Sequence, residues 1–349
     1  MLNQKTIDAL DEYKKQFHQA KPFRYVVVDD FFTPEFCAQL LKQFPDFNDQ
    51  DAIDENQTVG RKAVVQQVPE IGRAYRDLDR LVQSQAFINQ VEHITGIEGL
   101  LYDPHYIGGG THNNLNGQEL DPHVDFTHHP ITSHHRRLNL IVYLNRQWSA
   151  EWGGQIQFHK NPRLSPDEDE IISVLPLFNR AVLFETHNHS WHGFPPISLP
   201  EEHKNLSRKS FALYYYTHQR AQPVDPHSTI YVERPLSERF QTGLKLNAND
   251  VTELQQMIGR RDQHLKRLYT TITAQTKELS RIKAEVMRLK AATGTPDKQA
   301  RLLQRQMELL SFDESRMFQR IQELENSTSW RITAPLRQIK RWFRRRGSH

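Results

Sequence analysis

The pattern of apolar and polar positions divides the chain into a region of short strands and a region of long helices. Between residues 97 and 217, runs rich in β-branched and aromatic residues alternate with turns of Gly, Asn and Pro. The strand-like runs are LNLIVYLN (138–145), GQIQFH (154–159), AVLFE (181–185) and SFALYYYT (210–217). Short strands separated by such turns predict a β-sandwich or barrel.

Helical patterns precede this β-rich region. Residues 1–20 predict a polar helix, and FRYVVVDDFF (23–32) has the composition of a strand. Thr33 then begins a second helical pattern, with Pro34 and Glu35 in its first turn. A Thr side chain can accept a hydrogen bond from the first free N–H groups of a helix, so Thr33 is the predicted N-cap.

The pattern changes again after residue 222. Residues 223–250 predict a linker, and apolar residues in steps of four and three then predict a coiled coil over 251–326. Gly294 and Pro296 interrupt it, so we expect two helices broken at 292–296. The first seam consists of Leu254, Ile258, Leu265, Leu268, Ile272, Leu279, Ile282, Val286 and Leu289. Its length favours self-association, while a fold-back of the two helices or one solvated helix packed on its own domain are the alternatives.

The charge is concentrated at the end of the chain. The net charge is +3, but residues 327–349 carry seven basic and no acidic side chains, which leaves −4 for the rest. Ile332, Leu336, Ile339 and Phe343 share one helical face there. This pattern predicts a basic amphipathic tail on an anionic membrane surface; a solvated end or a protein contact is the alternative. An acidic body argues against a nucleic-acid partner.

The amino-acid composition indicates the cellular compartment of the protein. The single cysteine, Cys37, excludes an internal disulfide and fits a reducing environment. The sequence contains no run of ~18 consecutive apolar residues, so we do not expect a helix that crosses a membrane. The first residues lack the apolar stretch of a secretory signal. We therefore expect a cytoplasmic protein, either free or peripheral at the inner face of the cytoplasmic membrane.

The segment DPHVDF offers metal-binding chemistry. His123 and Asp125 are two residues apart, and side chains at this spacing share one face of a strand. A third ligand is available from His187, His189 or His192. Two histidines and one carboxylate are the ligand set of non-heme Fe(II) oxygenases.

An oxygenase of this kind that uses a dicarboxylate co-substrate needs a cation for the carboxylate farther from the iron. A buried arginine suits that role because its guanidinium binds a carboxylate through two parallel hydrogen bonds. Arg208, at the start of a strand-like run after the last histidine group, is the candidate.

These motifs occur together in an order that resembles a known family. HYIGGG (105–110), the HxD motif, IVYLN (141–145) followed by WGGQIQF (152–158), SWHGF and RKSFALYYYT resemble, in this order, the Fe(II)/2-oxoglutarate-dependent dioxygenases. The match is to the prolyl 4-hydroxylase-like branch, and to a bacterial subgroup of it without an assigned substrate. The resemblance covers roughly residues 22–218.

The resemblance implies a mainly β fold, a double-stranded β-helix or jelly roll with flanking N-terminal helices, over residues 1–222. It also implies Fe(2+), 2-oxoglutarate and O2 as cofactors, with ascorbate as an aid. The implied roles are metal binding by His123, Asp125 and His192, binding of the distal 2-oxoglutarate carboxylate by Arg208 and Tyr143, and lining of the co-substrate pocket by Tyr106.

Two spacings depart from the family pattern. Arg208 lies 16 residues after His192, so an insertion is expected between them. The interval between Tyr106 and His123 is also long. His187 and His189 stay open as alternatives to His192 for the third ligand.

A second resemblance concerns the tail. STSWRITAPLR (327–337) is similar to a short segment at the ends of bacterial glycosyltransferases and other surface-polysaccharide enzymes. It implies a glycan, sugar-lipid or nucleotide-sugar substrate. The alternatives are a protein prolyl hydroxylase, a non-catalytic coiled-coil scaffold of a polysaccharide-assembly complex, and a zinc-bound cupin-like protein.

Overall fold

The computed structural model describes residues 1–52, 62–164, 168–222, 224–232, 239–293 and 305–307. Two compact units are present, Met1–Glu233 and Arg234–His349. The expected basic tail over 327–349 lies outside the described residues, as does nearly all of the expected second coiled-coil helix.

Two antiparallel sheets form the body of the first unit. Their strands are β1 (Tyr25–Val28), β2 (Lys62–Val65), β3 (Leu101–Tyr102), β4 (Gly110–Asn114), β5 (Leu120–Val124), β6 (His135–Tyr143), β7 (Ile156–His159), β8 (Ile171–Val174), β9 (Arg180–Glu185), β10 (Trp191–Phe194), β11 (Arg208–Thr217) and β12 (Ile230–Tyr231). The larger sheet has the order β1-β9-β6-β11-β4-β2, with β3 beside β11, and the smaller has the order β12-β5-β10-β7-β8. This arrangement confirms the predicted jelly-roll fold.

Helices flank the sheets on one side. They are α1 (Gln4–Asp8), α2 (Leu10–Gln19), α3 (Pro34–Lys42), α4 (Val68–Ile71), α5 (Arg73–Val82) and α6 (Gln85–Thr95). The single helix expected over 1–20 is two helices that meet at Ala9. Thr33 caps α3 as predicted, because its Oγ1 accepts the N–H of Phe36 at 3.4 Å.

Apolar residues fill both sides of the larger sheet. On one side Leu138, Leu140 and Leu213 pack with the helices in one core cluster. On the other side Val182 and Phe184 pack with residues of the smaller sheet in a second cluster. The larger sheet is therefore covered by helices on one face and by the smaller sheet on the other.

The second unit contains one long helix among the described residues, α7 (Ala248–Thr293). It ends at the predicted break. The predicted linker over 223–250 includes β12, which pairs with β5 and so belongs to the first unit. Most of the predicted seam is buried within a single copy, namely Leu254, Ile258, Leu265, Ile272, Leu279, Ile282 and Val286. Covering these side chains does not require a second chain, and self-association stays a prediction.

In the described parts of the chain, none of the helices combines the length and apolar character needed to cross a membrane.

Asn179 joins the start of β9 to the chain that leads into α3. Its Oδ1 accepts the N–H of Phe32 at 2.9 Å, and its Nδ2 donates to the carbonyl of Phe32 at 2.8 Å. The buried side-chain amide thus pairs with the backbone of Phe32 as a neighbouring β-strand would. Asn179 also has a φ of +61°, a conformation that Asn tolerates better than most residues.

We predict that Asn179→Ala lowers the free energy of unfolding by about 2–4 kcal/mol, because two buried backbone groups lose their partners. Urea unfolding followed by circular dichroism measures this. Asn89→Ala, on the exposed face of α6, is the matched control and should change stability by less than about 0.5 kcal/mol. Equal effects of the two variants would contradict the assignment.

Candidate active site

Two histidines face each other across neighbouring strands of the smaller sheet. His123 in β5 and His192 in β10 are direct antiparallel partners, and their ring centroids lie 4.3 Å apart. Directly opposite side chains of an antiparallel pair share one face. Asp125 is the first residue after the end of β5, so its carboxylate lies near the two histidines. One ligand atom from each of the three residues lies within 4.8 Å of the others.

Backbone carbonyls orient both imidazoles. His123 Nδ1 lies 3.0 Å from the carbonyl oxygen of Asp121, and His192 Nδ1 lies 2.8 Å from that of Ser190. A carbonyl oxygen can only accept, so each Nδ1 carries the hydrogen and each Nε2 keeps a free lone pair. Hydrogen bonds of this kind to the second ring nitrogen are typical of metal-binding histidines.

Burial keeps both imidazoles neutral. It lowers the pKa of His123 to about 3, with a further contribution from His192, and it also lowers the pKa of His192. The neutral imidazole is the form that binds a metal ion.

The carboxylate of Asp125 is held by the larger sheet. Asn139 Nδ2 donates to Asp125 Oδ2 at 2.8 Å, and Arg136 Nη2 lies 3.1 Å from the same oxygen. Burial disfavours the charged carboxylate, but the charge of Arg136, together with the hydrogen bond from Asn139, holds the pKa of Asp125 below its ordinary value. A carboxylate that stays ionised supplies the anionic ligand of a metal site.

Arg136 is a part of the site that sequence reasoning missed. Its guanidinium is 1% exposed and lies between the rings of Phe126 and Tyr214, 4.4 and 3.5 Å from their centroids. Strict alternation along β6 from Tyr143 would place Arg137 on the inner face instead. An irregularity in the β6–β11 register, where Tyr216 pairs with Arg136, disturbs that alternation.

A second arginine lies on the inner face of the larger sheet. Arg208 is buried at the start of β11, donates from Nη2 to the hydroxyl of Tyr143 at 3.1 Å, and donates from Nε to the carbonyl of Gly154 at 2.5 Å. Tyr143 and Asn139 are four residues apart in β6, so they share a face. The predicted anchor residues Arg208 and Tyr143 therefore lie together, on the sheet face that also holds Asp125 through Asn139.

The structure corrects the expectation for Tyr106. Its hydroxyl donates to Asp79 Oδ1 at 2.9 Å, and its ring packs on Phe211 among the helix-facing core residues. Phe211 and Arg208 are three residues apart in β11 and so point to opposite faces. Tyr106 therefore packs behind the sheet, away from the pocket, because alternation separates the two faces.

The alternative histidines are not in the cluster. His187 Nδ1 accepts the N–H of His189 at 3.0 Å, and the His187 ring packs against Phe23. Among the residues that the structure describes, His123, Asp125 and His192 are the one group that could hold a metal ion. The histidines at 128, 129, 134 and 135 form no second such group there.

A family comparison agrees with this geometry. Residues 109–216 match the family model of the 2OG-Fe(II) oxygenase superfamily. This segment is a 2OG-Fe(II) oxygenase domain. The protein is accordingly an oxygenase, and its cofactors are Fe(2+), 2-oxoglutarate and O2. A comparison with curated proteins gives no significant match.

Several solved structures are similar to the chain at low identity. A prolyl hydroxylase from Trichoplax adhaerens in complex with a hypoxia inducible factor oxygen degradation domain peptide has 16% identity and a TM-score of 0.42, over 61% of this chain and 91% of its own. Prolyl 4-hydroxylases from Phytophthora capsici have 17% identity and a TM-score of 0.42, over 90% of this chain and 97% of their own. A Pseudomonas putida prolyl-4-hydroxylase has 14% identity and a TM-score of 0.32, over 62% of this chain and 95% of its own.

The residues of the oxygenase domain fit the cofactors. Two free imidazole nitrogens and an ionised carboxylate are a suitable donor set for Fe(2+). Ser210 Oγ is buried without a hydrogen-bond partner, and its register position is opposite Tyr143, two residues from Arg208. A buried hydroxyl without a partner is costly in the absence of a ligand. Together with Arg208, it is suited to the carboxylate of 2-oxoglutarate.

We predict that His192→Gln weakens Fe(II) binding by more than about 100-fold, since losing a ligand should cost more than the 10–100-fold typical of its outer partners. Anaerobic calorimetric titration with Fe(II) measures this. His187→Gln is the control and should leave the affinity within about threefold. If His187→Gln gave the larger loss, the assignment of the third ligand would be wrong.

Proposed function

We propose that the chain is an Fe(II)- and 2-oxoglutarate-dependent dioxygenase that hydroxylates its substrate, with His123, Asp125 and His192 as the iron ligands. Arg208 and Tyr143 would bind the distal carboxylate of 2-oxoglutarate. The observation that carries the proposal is the convergence of three oriented ligand atoms within 4.8 Å of one another, from two buried histidines and a partly buried aspartate.

The protein's own groups have separate tasks in this reaction. When bound, the iron with 2-oxoglutarate and O2 supplies the oxidising power that inserts one oxygen atom into a C–H bond. Asp125 contributes one negative charge to the site, and Arg136 and Asn139 fix its direction. Arg208 and the Tyr143 hydroxyl orient the co-substrate by charge-assisted hydrogen bonds.

Apolar walls keep water from the reacting atoms. The ring of Phe184 lies 4.8 Å from the ring of His192, and Phe158 and Phe23 pack against Phe184. This cluster lies between the two sheets behind the ligands. Excluding water strengthens the electrostatic contacts within a site and limits side reactions of the bound oxidant.

We further propose that the substrate belongs to surface-glycan assembly, as a glycan, sugar-lipid or nucleotide sugar. The support is the similarity of STSWRITAPLR to segments of surface-polysaccharide enzymes. Mass spectrometry of envelope glycans and proteins, with and without the enzyme, would look for products heavier by one oxygen atom. Hydroxylated proline in a protein as the sole product would favour the prolyl hydroxylase alternative instead.

We predict that Arg208→Met raises the dissociation constant of 2-oxoglutarate by about 10- to 100-fold, because a charge-assisted hydrogen bond is worth about 1.5–3 kcal/mol. The visible charge-transfer band of the anaerobic Fe(II) and 2-oxoglutarate complex provides the titration signal. Succinate formation under O2 checks turnover.

The adjacent lysine supplies the control. Lys209 Nζ donates to Ser207 Oγ, and alternation along β11 turns its side chain away from Arg208. Lys209→Met should therefore leave the 2-oxoglutarate titration within about twofold. A wild-type protein that shows neither the band nor succinate would refute the dioxygenase proposal.

We propose a membrane contact for the basic segment 327–349, supported by its charge and apolar face. Deleting it should abolish co-sedimentation with anionic vesicles, because each basic residue near such a surface contributes about 1 kcal/mol. Neutral vesicles are the control. Undiminished co-sedimentation after the deletion would refute this contact.

A further inference from the structure

A lysine lies two strands away from Arg208 on the inner face of the larger sheet. Lys62 in β2 pairs with Asn114 in β4, and Asn114 pairs with Arg208 in β11. Residues directly opposite each other in antiparallel strands point to the same face, and neighbouring strands are ~4.8 Å apart. Lys62, Asn114 and Arg208 therefore form one row across three strands.

The charge of Lys62 acts on the active site. Burial and, to a smaller extent, the charge of Arg208 lower the pKa of Lys62 and Asp125 raises it, which together give a pKa of about 8. His112, the next inward residue of β4, has a pKa lowered by burial first and then by Lys62 and Arg208, so it adds no positive charge. Lys62 is thus a partly buried ammonium group on the same row as another cation.

Lys62 has no anionic contact partner of its own among the described residues. The ion pairs in that part of the chain do not include it, and Asp125 is already bound by Arg136. Two cations on one row, with backbones about 10 Å apart, repel each other in a poorly solvated pocket unless an anion lies between them. The row also contains an unsatisfied polar atom, Asn114 Oδ1, in a side chain that is 1% exposed.

The cofactors do not neutralise Lys62 either, if the proposed function holds. Arg136 balances Asp125, and Arg208 balances one carboxylate of 2-oxoglutarate. The other carboxylate of 2-oxoglutarate carries one negative charge, while Fe(2+) carries two positive ones. The pocket with its cofactors therefore keeps a positive excess, to which Lys62 adds.

We infer that Lys62, with Asn114 beside it, forms a subsite for an anionic group of the primary substrate, either a phosphate or a carboxylate. The inference rests on the proposed function and narrows its substrate class to anionic compounds. A lysine ammonium is a compact point charge, which suits either kind of anion.

The test measures binding to the full chain loaded with Fe(II) and saturating 2-oxoglutarate without O2. Glucose 1-phosphate and glucuronate are the two probes, and isothermal titration calorimetry gives their affinities. We expect at least one probe to bind, and Lys62→Met to weaken it by about 10- to 100-fold. The probe that binds more tightly identifies phosphate or carboxylate as the preferred group.

Two further variants serve as controls. Lys277→Met removes an exposed charge from α7 and should leave probe binding unchanged. Lys62→Arg keeps the charge and should bind within about threefold of wild type, which separates loss of charge from loss of fold. Circular dichroism confirms that each variant is folded.

Three outcomes would overturn the inference. Neither probe binds the wild type; Lys62→Met binds both as wild type does; or Lys62→Met weakens 2-oxoglutarate itself, which would assign Lys62 to the co-substrate pocket. Failure of the proposed function is distinguishable, because the wild type would then give no 2-oxoglutarate titration before any probe is added.

Discussion

The register between β5 and β10 is the constraint on which the metal site depends. It places His192 directly opposite His123, although 69 positions separate them along the chain. Side chains alternate between faces, so a slip of one residue would turn His192 away from His123. Carbonyl contacts to the two Nδ1 atoms then set the direction of each ring. The ligand geometry thus follows from backbone pairing, before any metal ion contributes.

The third ligand depends on the contact between the sheets. Asp125 directly follows β5 of the smaller sheet, but its partners Asn139 and Arg136 belong to β6 in the other sheet. Arg136 also donates to Asn139 Oδ1 at 3.1 and 2.8 Å, so the three side chains form one network. A buried ion pair adds little net stability, since desolvation offsets the attraction. Its value here is orientation, because it keeps Asp125 ionised and directed at the histidines.

Much of this site could be predicted from the sequence because its signals are local. HxD on a strand, a histidine in SWHGF and an arginine at the head of a strand are readable from spacing and residue type. Arg136 and Lys62 were not readable in this way. Arg136 enters the pocket through a register irregularity, and Lys62 enters through the pairing of β2 with β4. Both depend on which strands become neighbours, and alternation within one strand does not encode that.

The prediction that Tyr106 lines the co-substrate pocket was wrong because the two faces of β11 contact different parts of the protein. The inward residues of β11 include Arg208 and Ser210, whereas Phe211 and Tyr215 pack among the helices, where Tyr215 donates to the carbonyl of Val82 at 2.8 Å. Tyr106 packs on the second set. Contacts with the helices fix the position of β11. The inward face of the strand can therefore hold polar groups whose burial is unfavourable. A buried arginine and an unpartnered serine hydroxyl can persist there because the opposite face of the same strand supplies the packing that holds them in place.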